Sequence, residues 1–143
     1  MIYKKTCWIV FKPGTHLLSN ILKKDYAHVY LLYKDKYNWI KVDPSQSSLD
    51  VTILPVPASK NIIDIFSKVD SVTSIVKIST TIHKNKVINY NPFNIINCVN
   101  VVKYYCGIQS WVCTPYQLYK LFCKLSCTNN TKYGIDNVVL IKM

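Results

Sequence analysis

The chain has 143 residues, half of them hydrophobic, and a formal charge of +11. This length is typical of one domain, residues 1–143, and the apolar content suffices for a folded core, which excludes a disordered chain. Every basic residue is lysine and every acidic residue is aspartate. The positive charge favours non-specific association with anionic polymers such as nucleic acid or cell-wall glycans. The absence of arginine counts against base-specific reading of DNA.

The first half of the chain predicts mainly strands. Residues 6–11 alternate as a strand, and apolar residues at helical spacing indicate a short helix over 15–24. Residues 27–33 and 38–43 then predict a hairpin that turns at 34–37. A strand over 50–56 ends at two prolines, and a helix follows over 60–68.

The second half ends in two helices and a strand. A β-branched strand over 72–79 is expected to pair with 84–89, and a helix over 97–106 stops at Gly107. Thr114, Pro115 and Gln117 have the N-cap, N1 and N3 pattern of a capping box, so a second helix begins there. With a last strand over 137–141, the predicted class is α+β, an antiparallel sheet with helices packed on one side.

The hairpin places a histidine and an acid on one sheet face. A turn centred between Asp35 and Lys36 pairs 33 with 38 and brings His28 directly opposite Asp43. The other face would then carry an apolar patch whose burial fixes the register. That patch consists of Val29, Leu31, Ile40 and Val42.

Cys98 begins the predicted helix over 97–106. The N-terminus of a helix offers partial positive charge and unpaired N–H groups, which favour a thiolate. A nearby imidazole takes the thiol proton and a third polar group fixes its tautomer. These residue types therefore indicate Cys98 as nucleophile, His28 as base and Asp43 as orienting group, with backbone N–H groups near Cys98 holding the oxyanion.

Each of these residues also has a plain structural interpretation. Free cysteine is among the most buried residue types, so Cys98 taken alone fits a core thiol. His28 and Asp43 fit an ordinary buried pair, and Asp43 before Pro44 fits a strand-end turn. The three tryptophans fit either a cleft wall or the core. They are Trp8, Trp39 and Trp111.

The cysteines give no standard metal pattern. None forms a CxxC pair and the three histidines are scattered, so we expect no metal and no cofactor. A metal site built from the later cysteines is the alternative to free thiols in a reducing compartment. Those cysteines are Cys106, Cys113, Cys123 and Cys127.

The order of histidine strand, acid strand and cysteine helix resembles the circularly permuted NlpC/P60 branch of papain-like cysteine peptidases. More narrowly, it is similar to small phage-encoded proteins of that superfamily. The resemblance spans about 7–122 and lies in short stretches. These are Cys7-Trp8-Ile9-Val10-Phe11-Lys12-Pro13-Gly14, Ala27-His28-Val29-Tyr30, Trp39-Ile40-Lys41-Val42-Asp43-Pro44, Asn97-Cys98-Val99 with Val102-Lys103, and Thr114-Pro115-Tyr116-Gln117-Leu118-Tyr119.

The resemblance implies a papain-like domain with Cys98, His28 and Asp43 as its catalytic residues. It implies hydrolysis of a peptide, amide or ester substrate, including peptidoglycan peptides, through an acyl-enzyme. Two alternatives stay open: a non-catalytic virion structural or adaptor protein of the same fold, with virion proteins as partners, and a basic nucleic-acid-associated protein. With no signal peptide and no membrane span recognisable, the expected location is host cytoplasm or virion.

Overall fold

The computed structural model describes residues 2–14, 22–45, 48–66, 68, 71–83, 97–128 and 135–142. These residues form an α+β fold with a six-stranded antiparallel sheet and three α-helices. The strands are β1 (Ile2–Lys12), β2 (His28–Lys34), β3 (Asn38–Pro44), β4 (Leu49–Pro57), β5 (Ser74–His83) and β6 (Ile135–Lys142). The helices are α1 (Ile62–Phe66), α2 (Cys98–Cys106) and α3 (Pro115–Thr128). The strand order is β4-β3-β2-β1-β5-β6, so β1 lies in the middle.

β1 is covered on both faces. Ile9 and Phe11 belong to one core cluster, with helices α2 and α3, whereas Trp8 and Val10 belong to another, with α1. This explains why residues 7–11 of β1 are apolar without interruption, since a strand segment buried on both faces needs no polar alternation. The prediction of helices on one side therefore holds for α2 and α3, while α1 packs on the opposite face.

Most predicted elements occur close to their expected positions. The strand over 72–79 extends to residue 83, but its neighbours are β1 and β6, which occupy both of its edges. The proposed pairing partner 84–89 lies outside the described residues. So does most of the proposed helix over 15–24. Of its described residues 22–24, only Lys24 belongs to a helical turn, the 3₁₀ turn at Lys24–Tyr26.

The hairpin register differs from the predicted one by two residues. β2 and β3 pair Leu31 with Val42 and Lys34 with Trp39, so the turn is centred later than expected. The cause is an Asx turn, because the Asp35 carboxylate accepts hydrogen bonds from the N–H groups of Tyr37 and Asn38. An even shift keeps every side chain on its predicted face.

Helix α2 begins and ends at defined caps. The Asn97 side chain accepts a 2.8 Å hydrogen bond from the N–H of Asn100, and Gly107 ends the helix at φ 66°. Its β-branched residues Val99 and Val102 are fully buried against the sheet. Tertiary packing thus outweighs their modest helix propensity, and the cap fixes Cys98 as the first helical residue.

Helix α3 begins at the predicted capping box. The N–H of Gln117 donates to the Thr114 hydroxyl at 3.2 Å, and the Gln117 side chain accepts in return from the N–H of Thr114 at 3.2 Å. Phe122 is fully buried beneath this helix, in edge-to-face contact with Phe11. The helix therefore covers the same sheet face as α2.

Candidate functional site

His28 and Asp43 meet at one end of the sheet, where β2 begins and β3 ends. His28 Nε2 donates to Asp43 Oδ1 at 2.7 Å. In the observed register the two residues are diagonal neighbours on one face, so the predicted direct opposition is wrong while the shared face is right. A long-range contact of this kind fixes the imidazole orientation.

Cys98 reaches the same histidine from α2. Its thiol is close enough to the His28 ring to raise the pKa of the imidazole. Because Asp43 occupies Nε2, the ring nitrogen that remains for the thiol is Nδ1. If Cys98 and His28 are both neutral, the thiol S–H donates to Nδ1. If they form an ion pair, the imidazolium Nδ1–H donates to the thiolate. The structure therefore brings together all three residues named from the sequence.

The electrostatics favour a charged imidazole. Burial opposes the charge, but the hydrogen bonds with Asp43 and then Cys98, together with the charges of both, raise the pKa of His28 to about 9. At neutral pH the ring is thus predominantly imidazolium. Such a cation stabilises a thiolate beside it.

Lys41 is a member of the site that sequence reasoning missed. Its Nζ donates to Asp43 Oδ2 at 2.7 Å, so each carboxylate oxygen has its own cationic donor. Burial raises the pKa of Asp43, but the hydrogen bonds with His28 and Lys41 outweigh it and lower that pKa to about 2. Lys41 stands two residues before Asp43 on β3, and residues two apart on a strand share a face.

The first turn of α2 offers donors beside the thiol. Asn97 takes the N–H of Asn100 with its side chain and the N–H of Val101 with its carbonyl, at 3.2 Å. The N–H groups of Cys98 and Val99 are first-turn donors that form no hydrogen bond to this cap within the described part of the chain. Their position at the helix start suits them to a developing oxyanion.

The tryptophans fall into two groups. Trp8 and Trp39 are buried on the α1 side of the sheet, where their rings meet edge to face at a centroid distance of 4.7 Å. Trp111, by contrast, is 93% exposed in the connection between α2 and α3. The core interpretation therefore holds for the first two, and none of these positions forms a wall around Cys98 in the contacts observed.

The described residues contain no group of three or more histidine, cysteine or aspartate side chains arranged to hold a metal ion. Nor does any helix within these ranges have the length and apolarity needed to cross a membrane. All six cysteines are free thiols, with Cys7 and Cys106 fully buried. Comparison with protein-family models, curated proteins and solved structures finds no match to this chain.

Proposed function

We propose that this chain is a cysteine hydrolase of the permuted NlpC/P60 kind, with Cys98 as nucleophile, His28 as acid and base, and Asp43 as orienting group. The proposal is carried by the His28 ring, which is hydrogen-bonded to the Asp43 carboxylate and has its pKa raised by the Cys98 thiol at the start of α2. A core thiol and an ordinary buried ion pair have no reason to meet in this order.

The chemistry follows from the charge state of the pair. The Cys98 thiolate attacks a carbonyl carbon, and the carbonyl π electrons move to oxygen beside the N–H groups of Cys98 and Val99 in the α2 first turn. Collapse of this oxyanion breaks the bond to the leaving amine or alcohol, which takes its proton from the His28 imidazolium. The products of this half-reaction are a Cys98 thioester, the free leaving group and a neutral imidazole.

The second half-reaction uses water. Neutral His28 removes a proton from a water molecule as its oxygen attacks the thioester carbonyl. Collapse of the second tetrahedral intermediate releases the carboxylic acid product and restores the thiolate–imidazolium pair. Asp43 keeps its charge throughout and holds the ring in the orientation that both steps need.

The test is acylation by an activated ester. Incubation with p-nitrophenyl acetate, followed by peptide mapping, should find an acetyl group on Cys98 that disappears with time as p-nitrophenol release continues. Cys98→Ala should release p-nitrophenol only at the background rate while keeping its melting temperature, since the truncation is small and the thiol is half-buried. Folded Cys98→Ala protein that turns over like the wild type would exclude the hydrolase.

A non-catalytic virion or adaptor protein of this fold gives the opposite pattern. Its Cys98 would carry no acetyl group above that found on an exposed thiol such as Cys127. Loss of packing would then show as a lower melting temperature of Cys98→Ala. The same two measurements therefore separate enzyme from scaffold.

A further inference from the structure

Lys12 lies directly opposite His28 on the neighbouring strand β1. The two residues are partners in the β1–β2 ladder, so their side chains leave the sheet on the same face. Lys12 is half-buried, and its Nζ lies 5.6 Å from the centre of the Tyr30 ring. The ring of Tyr30 in turn lies 6.4 Å from that of His28. The Lys12 ammonium is thus held on the sheet face that carries His28 and Tyr30.

This ammonium has no counter-ion among the described residues. Asp43, the carboxylate of the site, is taken up by His28 and Lys41. The Lys41 ammonium itself lies 4.8 Å from the centre of the same Tyr30 ring, so two cations share one aromatic platform. Only one of them is compensated by a carboxylate, and a half-buried cation without a partner favours binding of an anion.

We propose that Lys12, seated on Tyr30, is an anion-binding subsite that selects acyl substrates carrying a carboxylate or phosphate close to the scissile carbonyl. The inference rests on the proposed function, because it assigns part of the substrate to the same site. Lys12 is here a specificity-determining residue and takes no part in bond making. An anionic group would complete the charge arrangement that the protein leaves open.

Iodoacetate and iodoacetamide test this without a known substrate. Both alkylate a thiolate by displacing iodide at the same methylene carbon, but only iodoacetate carries a carboxylate next to that carbon. The ratio of the two rates at Cys98, measured by peptide mapping at low ionic strength, should exceed the ratio at the exposed Cys127. Lys12→Met should lower the Cys98 ratio about three- to tenfold, the range expected for loss of one charged contact, and leave the iodoacetamide rate unchanged.

Lys77→Met is the matched control. Lys77 lies over the Trp8 ring at 5.4 Å and pairs with Trp8 in the β1–β5 ladder, so it has the same cation-on-ring geometry away from His28. This variant should keep the wild-type ratio, and inorganic phosphate should slow iodoacetate more than iodoacetamide in the wild type.

The outcomes are distinguishable. A reactive Cys98 whose ratio is equal in Lys12→Met and wild type overturns the subsite and leaves the hydrolase standing. An equal fall in Lys77→Met means that overall positive charge sets the ratio, which also overturns the subsite. A Cys98 no more reactive than Cys127 towards either reagent defeats the proposed function, and with it the inference built upon it.

Discussion

The catalytic proposal rests on three side chains from three separate elements, joined through one imidazole. His28 could be named from the sequence because its strand and the next form a clear hairpin, and Asp43 because it shares the resulting face. Lys41 was missed because a lysine on a strand of a very basic chain carries no special signal. Its contact with Asp43 Oδ2 at 2.7 Å became visible only with the fold.

The carboxylate should control the charge of the imidazole. Replacing Asp43 with Asn removes the negative charge but keeps the shape of the acceptor, so the pKa of His28 should fall well below its present value of about 9. NMR titration of the His28 ring protons measures this. Lys41→Met is the comparison variant, since it removes a cation and should not lower the pKa of His28. An unchanged His28 titration in Asp43→Asn would show that the carboxylate does not stabilise the imidazolium.

The same pair predicts a pH dependence of stability. The pKa of His28 is about 9 in the folded chain against 6.5 for an ordinary histidine, so protonated His28 stabilises the fold fully below pH 6.5. That contribution is lost as pH rises through about 9. The difference in free energy of unfolding between wild type and His28→Gln should therefore shrink steadily from pH 6.5 to pH 9. A difference that stays constant or grows over this range contradicts the raised pKa.

The contribution of Asp43 to stability depends on pH in the opposite direction, because it is lost as the pH falls. Its pKa is about 2 in the folded chain against 3.8 for an ordinary aspartate, so its contribution is complete above pH 3.8 and is lost as pH falls through about 2. Acid unfolding of Asp43→Asn should accordingly show a weaker dependence on pH between 4 and 2 than that of the wild type. Denaturant melts at several pH values measure both slopes.

At the scale of elements, caps and turns decide where the site residues lie. The capping box of α3 was readable because Thr114, Pro115 and Gln117 stand at fixed offsets. The hairpin register could not be predicted from the sequence, because the Asp35 side chain accepts hydrogen bonds from two N–H groups and moves the turn centre. Asn97 carried no catalytic expectation, and the structure gives it the separate task of starting α2 at Cys98.

Asn97→Ala should therefore lower both the free energy of unfolding and the reactivity of the Cys98 thiol. Loss of an N-cap costs about 1 kcal/mol of unfolding free energy, and a frayed first turn no longer presents Cys98 to His28. Iodoacetamide should alkylate Cys98 more slowly in this variant. Thr114→Ala is the matched control, because it removes the cap of α3 at a similar cost without touching α2. Equal effects of both variants on Cys98 would contradict the positioning role of the cap.

At the scale of the whole molecule, a sheet covered on both faces carries the site at one end. The α+β class followed from the sequence patterns, and so did most element boundaries. The position of α1 on the second face did not, since a short amphipathic helix gives no information about which side of a sheet it covers. The central position of β1 also did not follow from the sequence, because its place in the sheet is set by long-range pairing with β5.

The core beneath α3 should dominate stability. Phe122 is fully buried, so Phe122→Ala should lower the free energy of unfolding by about 3–5 kcal/mol through lost burial and the cavity left behind. Trp111→Ala removes a larger ring that is 93% exposed and should change stability by less than about 0.5 kcal/mol. Denaturant melts compare the two. Comparable losses of unfolding free energy in Phe122→Ala and Trp111→Ala would mean that Trp111 packs against the protein.

The thiolate–imidazolium pair is tested most directly by the rate at which iodoacetamide alkylates Cys98 at neutral pH, measured by peptide mapping in wild type and His28→Ala. A thiolate held by an imidazolium should react much faster than the exposed thiol of Cys127 in the same molecule. Removal of the imidazole should bring Cys98 down to or below the rate of Cys127, which itself should not change. A Cys98 that reacts at the same rate with and without His28 would contradict the thiolate–imidazolium pair.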